Sequence, residues 1–126
     1  MPTPTLRVLL VDDNQDAVDA IAMLLESEGY EIRTANEGIS ALKEARAWSP
    51  DVIILDIGLP GMNGYQVAQA LRQTPLDSNP LLIALSGYGS DRDRQLARTA
   101  GFDHHVVKPA EPDLLFSLLA SRRQPG

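Results

Sequence analysis

Five side chains have the types and spacing to do chemistry together: Asp12, Asp13, Asp56, Ser86 and Lys108. Each stands at the end of a short apolar run. Asp12-Asp13-Asn14 follows "LRVLLV", Asp56 closes "DVIILD", Ser86 closes "LLIALS", and Lys108-Pro109 follows "HHVV". If the first and third runs are neighbours, their carboxylates crowd one another. Two unit charges about 4 Å apart repel by roughly 4 kcal/mol at an effective dielectric of 20. Three carboxylates together destabilise a fold or take up protons unless a cation sits among them. An all-oxygen, partly solvated donor set favours Mg²⁺, which keeps several of its waters. Such a site polarises a phosphoryl group. Mg²⁺ and Lys108 would offset the charge on its oxygens, Ser86 would donate a hydrogen bond, and Asp56 would attack phosphorus. The chemistry expected is phosphoryl transfer onto Asp56.

Those side chains need a frame that brings four strand ends to one edge. Short apolar runs alternate with amphipathic stretches five times. "LRVLLV" (6–11) reads as a buried strand, and Val18, Ile21, Leu24 and Leu25 follow at helical spacing up to Gly29, a C-terminal cap. "YEIRTA" (30–35) alternates as a strand does. A helical stripe of Ile39, Leu42 and Ala45 then stops before Pro50. "DVIILD" and its helix "YQVAQALRQ" come next, then "LLIALS" (81–86) and a polar, Arg-rich helix at 91–100. "HHVVK" is the fifth strand, and "PDLLFSLLASR" is a closing helix with Pro112 in its first turn. Strands that are apolar throughout, each followed by a helix, imply a parallel sheet covered on both faces, a doubly wound three-layer α/β sandwich. Ligands in such folds sit beyond the carboxyl ends of the strands, where the strand order reverses.

Size and composition suit this reading. The 126 residues fit one domain spanning 1–126, with a core at about 6–120. At 44% apolar the chain has enough to build a core, and without cysteine it has neither disulfides nor thiolate metal sites. That composition suits a cytoplasmic protein. A net charge of −6 argues against nucleic-acid binding through phosphate neutralisation. Apolar runs fall far short of the ~20 residues that span a bilayer, and no basic stretch leading into an apolar one marks a secretory signal. Met1–Thr5 reads as an extended lead-in and Arg122–Gly126 as a frayed end.

In combination, "LLVDDN", "VIILDIGLPGMNGYQ", "ALSG" and "VVKP" resemble the receiver domain of two-component response regulators over about Arg7 to Leu119. The resemblance implies a flavodoxin-like five-stranded parallel sheet of order 2-1-3-4-5 with five helices. It implies Asp56 as phospho-acceptor, Asp13 as a direct Mg²⁺ ligand, Asp12 acting through the metal's water shell, and the Gly58 carbonyl as a further ligand. Ser86 falls at the family's Ser/Thr switch position and Lys108 at its phosphate-binding lysine, with Lys108-Pro109 a cis peptide. The implied partner is a histidine kinase or a histidine phosphotransfer protein, the implied responding face the fourth helix, fifth strand and fifth helix, and the implied state a monomer or weak dimer. "AGFDHHVVKPAEPDLL" resembles the receivers of hybrid sensor kinases more than those of transcription factors.

Other residues have plainer readings. Pro60, Gly61 and Gly64 serve loop geometry, turning the chain sharply and leaving Asp56 open to a phosphodonor. Asn14 is an N-cap candidate. His104 and His105 are adjacent on a strand, so they face opposite sides and do not chelate one metal. His105 lies where receivers often carry the Tyr or Phe whose rotation reports phosphorylation, and a histidine there adds pH sensitivity. Trp48 and Phe116 read as packing residues, and Arg92, Arg94 and Arg98 as a solvated helix face with a partner contact as the alternative. Tyr88 and Gly58 fall where receivers tune phosphate lifetime. A haloacid-dehalogenase-type phosphatase shares Asp, Ser/Thr, Lys and Mg²⁺, but it carries Asp-x-Asp after its first strand, where this chain has Asp-Asp-Asn-Gln. A receiver that binds partners without phosphorylation would not need the full residue set.

Overall fold

Ten elements follow one another along the chain, a helix after every strand. They are β1 (Arg7–Val11), α1 (Gln15–Ser27), β2 (Glu31–Ala35), α2 (Gly38–Trp48), β3 (Val52–Asp56), α3 (Gly64–Gln73), β4 (Leu81–Ser86), α4 (Asp91–Ala100), β5 (His104–Val107) and α5 (Pro112–Arg123). The structure is a computed structural model and describes residues 5–73, 76, 78–87 and 89–123. Residues 1–4 of the lead-in, 124–126 of the tail, and Tyr88 lie outside the described residues.

All strand pairs are parallel, and the sheet order is β2-β1-β3-β4-β5, as the resemblance implied. Alternation along the strands builds two cores. Leu9, Val11, Ile53, Leu55, Leu82 and Ala84 face α2, α3 and α4, while Val8, Leu10, Val52, Ile54, Ile83 and Leu85 face α1 and α5. β3 is buried at all five positions because helices cover both its faces. Register then places the chemistry. Val11 is opposite Leu55, so the next rung sets Asp12 beside Asp56, and Ser86 is opposite Val107, one residue before Lys108.

Local signals terminate the helices. The Asn14 side chain accepts the Ala17 amide at 3.2 Å and caps α1, Ser90 does the same for α4 through Asp93, and Gly29 (φ 91) and Gly101 (φ 112) take the left-handed conformation after α1 and α4.

Three expectations need correction. The buried stripe of α2 is Gly38, Ala41, Leu42, Ala45 and Trp48, and Ile39 is 58% exposed. Periodicity of the large apolar residues alone rotates that face, because the small residues Gly38 and Ala41 are part of the buried stripe and Gly38 packs closely on Met62 and Val67. Leu24, placed on the buried face of α1, is likewise exposed, and Val18, Ala22 and Leu25 carry the packing. Arg122 is no frayed end. It donates to the Ser78 carbonyl at 2.7 Å and the Asn79 carbonyl at 3.0 Å, tying α5 to the loop before β4.

Candidate functional site

The carboxyl ends of β1 and β3 bring three acids together. One carboxylate oxygen each from Asp12, Asp13 and Asp56 lies within 4.8 Å of the others. Asp12 and Asp56 are 2% and 5% exposed, and Asp13 is exposed. Lys108, delivered from the end of β5, lies between the two buried acids, with Nζ 3.1 Å from Asp12 Oδ2 and 3.2 Å from Asp56 Oδ2. The remaining oxygens are held by backbone. The Asn14 amide donates to Asp12 Oδ1 and the Gly58 amide to Asp56 Oδ1, both at 3.0 Å.

These contacts correct the expectation that the Pro/Gly loop leaves Asp56 open. Both of its oxygens are engaged, one by the Gly58 amide and one by Lys108, and its side chain is only 8% exposed. Gly64 presses the loop down. Its amide donates to the Ile57 carbonyl at 3.0 Å, and a Cβ there would come 2.7 Å from both the Asp56 carbonyl oxygen and Ile57 Cα. Backbone crowds that position, so glycine is required.

Electrostatics split the pair. Burial pushes Asp12 up, but the Asn14 amide and Lys108 outweigh it and hold it below the ordinary carboxylate value. Burial raises Asp56, the Gly58 amide opposes this, and the Asp12 charge adds to the rise, leaving it above the ordinary value. Burial alone would lower Lys108, but the two carboxylates overcome it and raise it. One ammonium therefore serves two buried anions, and the second anion is undercompensated.

Ser86 is 7% exposed at the end of β4, on the sheet face shared with Ala84, and Ala84 is opposite His105. The Lys108 amide donates to the Ser86 carbonyl at 2.7 Å, which fixes the β5 end against β4, and the Lys108–Pro109 peptide is cis. His105 sits on the α4 side of the sheet, apart from the acids. Sequence reasoning missed Asn36, which donates to the Asp12 carbonyl and to Gln15 Oε1, both at 3.1 Å, and so holds the loop that carries the acids. Its place just after β2 was the only signal.

Comparison with known proteins agrees with this geometry. The family profile described as the response regulator receiver domain matches residues 8–120. The CAI-1 autoinducer sensor kinase/phosphatase CqsS of Vibrio cholerae is 34% identical over 116 residues, 91% of this chain and 17% of that protein. The DNA-binding response regulator MtrA of Mycobacterium tuberculosis is 32% identical over 122 residues, 97% of this chain and 52% of that one. The chain thus spans about half the length of one curated relative and about a sixth of the other. Among solved structures, the chemotaxis response regulator CheY4 of Vibrio cholerae superposes with a TM-score of 0.87 at 29% identity, covering 94% of this chain and 99% of that one. A putative response regulator from Chloroflexus aurantiacus gives 0.88 at 29% identity, covering 94% and 98%.

Proposed function

The chain belongs to the response regulator receiver domain family of two-component signalling, and from that premise we propose that Asp56 accepts a phosphoryl group from the phosphohistidine of a histidine kinase or a histidine phosphotransfer protein. The observation that carries this reading is the single ammonium of Lys108 bridging Asp12 and Asp56 at 3.1 and 3.2 Å. The Gly58 amide fixes one oxygen of Asp56. The other, Oδ2, is the nucleophile.

As Oδ2 bonds to phosphorus, the phosphorus–nitrogen bond of the donor breaks. Its electron pair leaves with the imidazole, which departs neutral when its other nitrogen carries a proton. Lys108 passes from the carboxylate to the transferred oxygens, and Ser86 donates a hydrogen bond to one of them. Attack by water on the same phosphorus later releases phosphate and restores the carboxylate. The domain catalyses only these two events on itself.

Receiver domains bind Mg²⁺ at an acidic cluster of this kind, and the donor set fits. It is all oxygen, it gathers three carboxylates within 4.8 Å, and its two buried anions share the one ammonium of Lys108, which leaves Asp56 undercompensated. Asp13, Asp56 and the Gly58 carbonyl would hold the ion, with Asp12 acting through its waters. When bound, Mg²⁺ offsets charge on the phosphoryl oxygens and relieves the repulsion among the acids.

Receiver domains interact with histidine kinases, and we assign the response to the α4–β5–α5 face, with Ser86 as the switch residue. The net charge of −6 supports a domain that makes no nucleic-acid contact of its own. Among the described residues no helix is long and apolar enough to cross a membrane, and a cytoplasmic site of action fits the partner proposed.

Incubation with Mg²⁺ and a small acyl-phosphate donor, followed by intact-mass measurement, tests the reading. One phosphoryl group is expected on the native chain and none on Asp56→Asn. Equal labelling of Asp56→Asn at another residue would overturn it.

A further inference from the structure

His105 carries an anomaly that phosphoryl transfer does not use. Its Nδ1 and Nε2 are both closed off from solvent, and neither has a hydrogen-bond partner among the described residues. A neutral imidazole has one donor and one acceptor, and burying either without a partner is costly. An imidazolium would be worse placed, because both nitrogens become donors and a full charge is added. Beside the ring lies a cavity of about 280 Å³ between α4 and α5, lined by Arg94, Arg98, Phe102, His105, Val106 and Leu114 among others.

We infer that His105 is a proton-sensitive latch on α4. Its neutral ring lies inward between β5 and α4, and protonation in mildly acidic conditions turns the ring out to water and loosens the helix. The inference concerns the unphosphorylated fold and stands apart from the role given to Asp56.

The surroundings favour the neutral inward ring. α4 presents Arg94, Asp93 and Arg98, β5 and the residue before it present His104 and Asp103, and α5 presents the apolar Leu114 and Leu118. From α3, Tyr65 feels the same Asp93 charge, and its own hydroxyl is pushed up first by burial and then by that charge. Asp103 is taken up by Arg72 at 3.0 Å. Burial first and then Arg94 lower the His105 pKa from 6.5, and Asp93 opposes them.

The sign follows from linkage. A ring in water titrates near 6.5, and the inward ring titrates lower. As pH falls below about 6.5, the outward population gains up to about tenfold per pH unit, until the inward ring itself protonates. The helix is susceptible because its buried residues are only Ala97 and Ala100. The Arg94 Nε contact to the Gly89 carbonyl, at 3.4 Å, adds little.

NMR titration of the whole chain from about pH 8 to about pH 5.5 tests the latch. Imidazole nitrogen resonances report the two histidines, and His104→Gln leaves His105 as the single one. The expected result is a His105 midpoint below 6.5, with the backbone amides of Asp91–Ala100 shifting at that midpoint. The α4 step should vanish in His105→Phe, which has no proton to gain. A midpoint at or above 6.5, amides of α4 that ignore the titration, or an unchanged step in His105→Phe would overturn the inference. If His105→Phe does not fold, the His104→Gln titration decides alone: coincident midpoints below 6.5 support the latch, and anything else refutes it.

Discussion

Replacing Asp56 by asparagine removes one charge from a crowded site while keeping the side chain's shape. The Asp12 and Asp13 oxygens lie within 4.8 Å of Asp56, and at an effective dielectric of 20 each charge repels it by at least about 3.5 kcal/mol before screening. Asp13 is exposed, so water discounts its share heavily. Against this stands the attraction to Lys108 at 3.2 Å, about 5 kcal/mol on the same scale. That ammonium is 34% exposed, which weakens the attraction, and it keeps Asp12 as a partner at 3.1 Å after the substitution. Burial of the Asp56 charge adds to the cost, and the asparagine oxygen still accepts the Gly58 amide. The balance lies on the side of the neutral residue, in line with the raised pKa of Asp56. Asp56→Asn is therefore expected to stabilise the metal-free protein at pH 7 by about 1–2 kcal/mol, raising Tm by roughly 4–8 °C. Urea denaturation in the presence of a chelator measures this directly. Because the folded pKa of Asp56 is raised, the deficit of the native protein is present above that pKa. It shrinks as pH falls through it towards the unfolded value of 3.8. Added Mg²⁺ should raise the native protein's stability by about 1.4 kcal/mol at ten times its Kd, and that of Asp56→Asn by less. A variant no more stable than the native chain in chelator, or a gap that widens in acid, would refute the charge-crowding argument.

Lys108→Met withdraws the one ammonium from two buried carboxylates. Metal-free stability should fall by about 1–3 kcal/mol, with Mg²⁺ restoring a larger share than it adds to the native chain, as read by urea midpoints with and without the ion. Gly64→Ala must push its methyl against the Asp56 carbonyl and Ile57 Cα, each 2.7 Å away. It should cost about 1–3 kcal/mol despite the better helix propensity of alanine, and it should slow acyl-phosphate labelling of Asp56. Full stability together with full labelling would show that the loop yields freely.

Much of the fold was legible because its strands announce themselves. "LRVLLV", "DVIILD" and "LLIALS" are apolar on both faces, which only a doubly covered parallel sheet requires. The site was legible because its chemistry stands at strand ends, where Asp12, Asp56, Ser86 and Lys108 follow their apolar runs without an intervening loop. What escaped depends on distances that a linear pattern does not carry. The closure of Asp56 by Lys108 needs β5 to reach across β4. The anchoring of Arg122 needs α5 to lie over the loop before β4. Trp48 reads as a packing residue, and it is one, but Arg7 and Arg33 stand 5.8 and 4.8 Å from its ring centroid, a pairing that β1, β2 and α2 make only once assembled. The sealed nitrogens of His105 depend on what packs around β5, which no linear pattern carries.

That scarcity of buried residues on α4 bears on how sequences of this kind can diverge. A helix held through Ala97 and Ala100 has few packing partners to preserve, so Asp91, Arg92, Arg94, Gln95, Arg98 and Thr99, all exposed, are free to change with little loss to the core. The clustered acids Asp12, Asp13 and Asp56 hang on the ends of β1 and β3, whose residues are locked by two cores at once. Recognition by new partners is therefore free to be rewritten on α4 one residue at a time, while the acids at the carboxyl ends of β1 and β3 stay where they are.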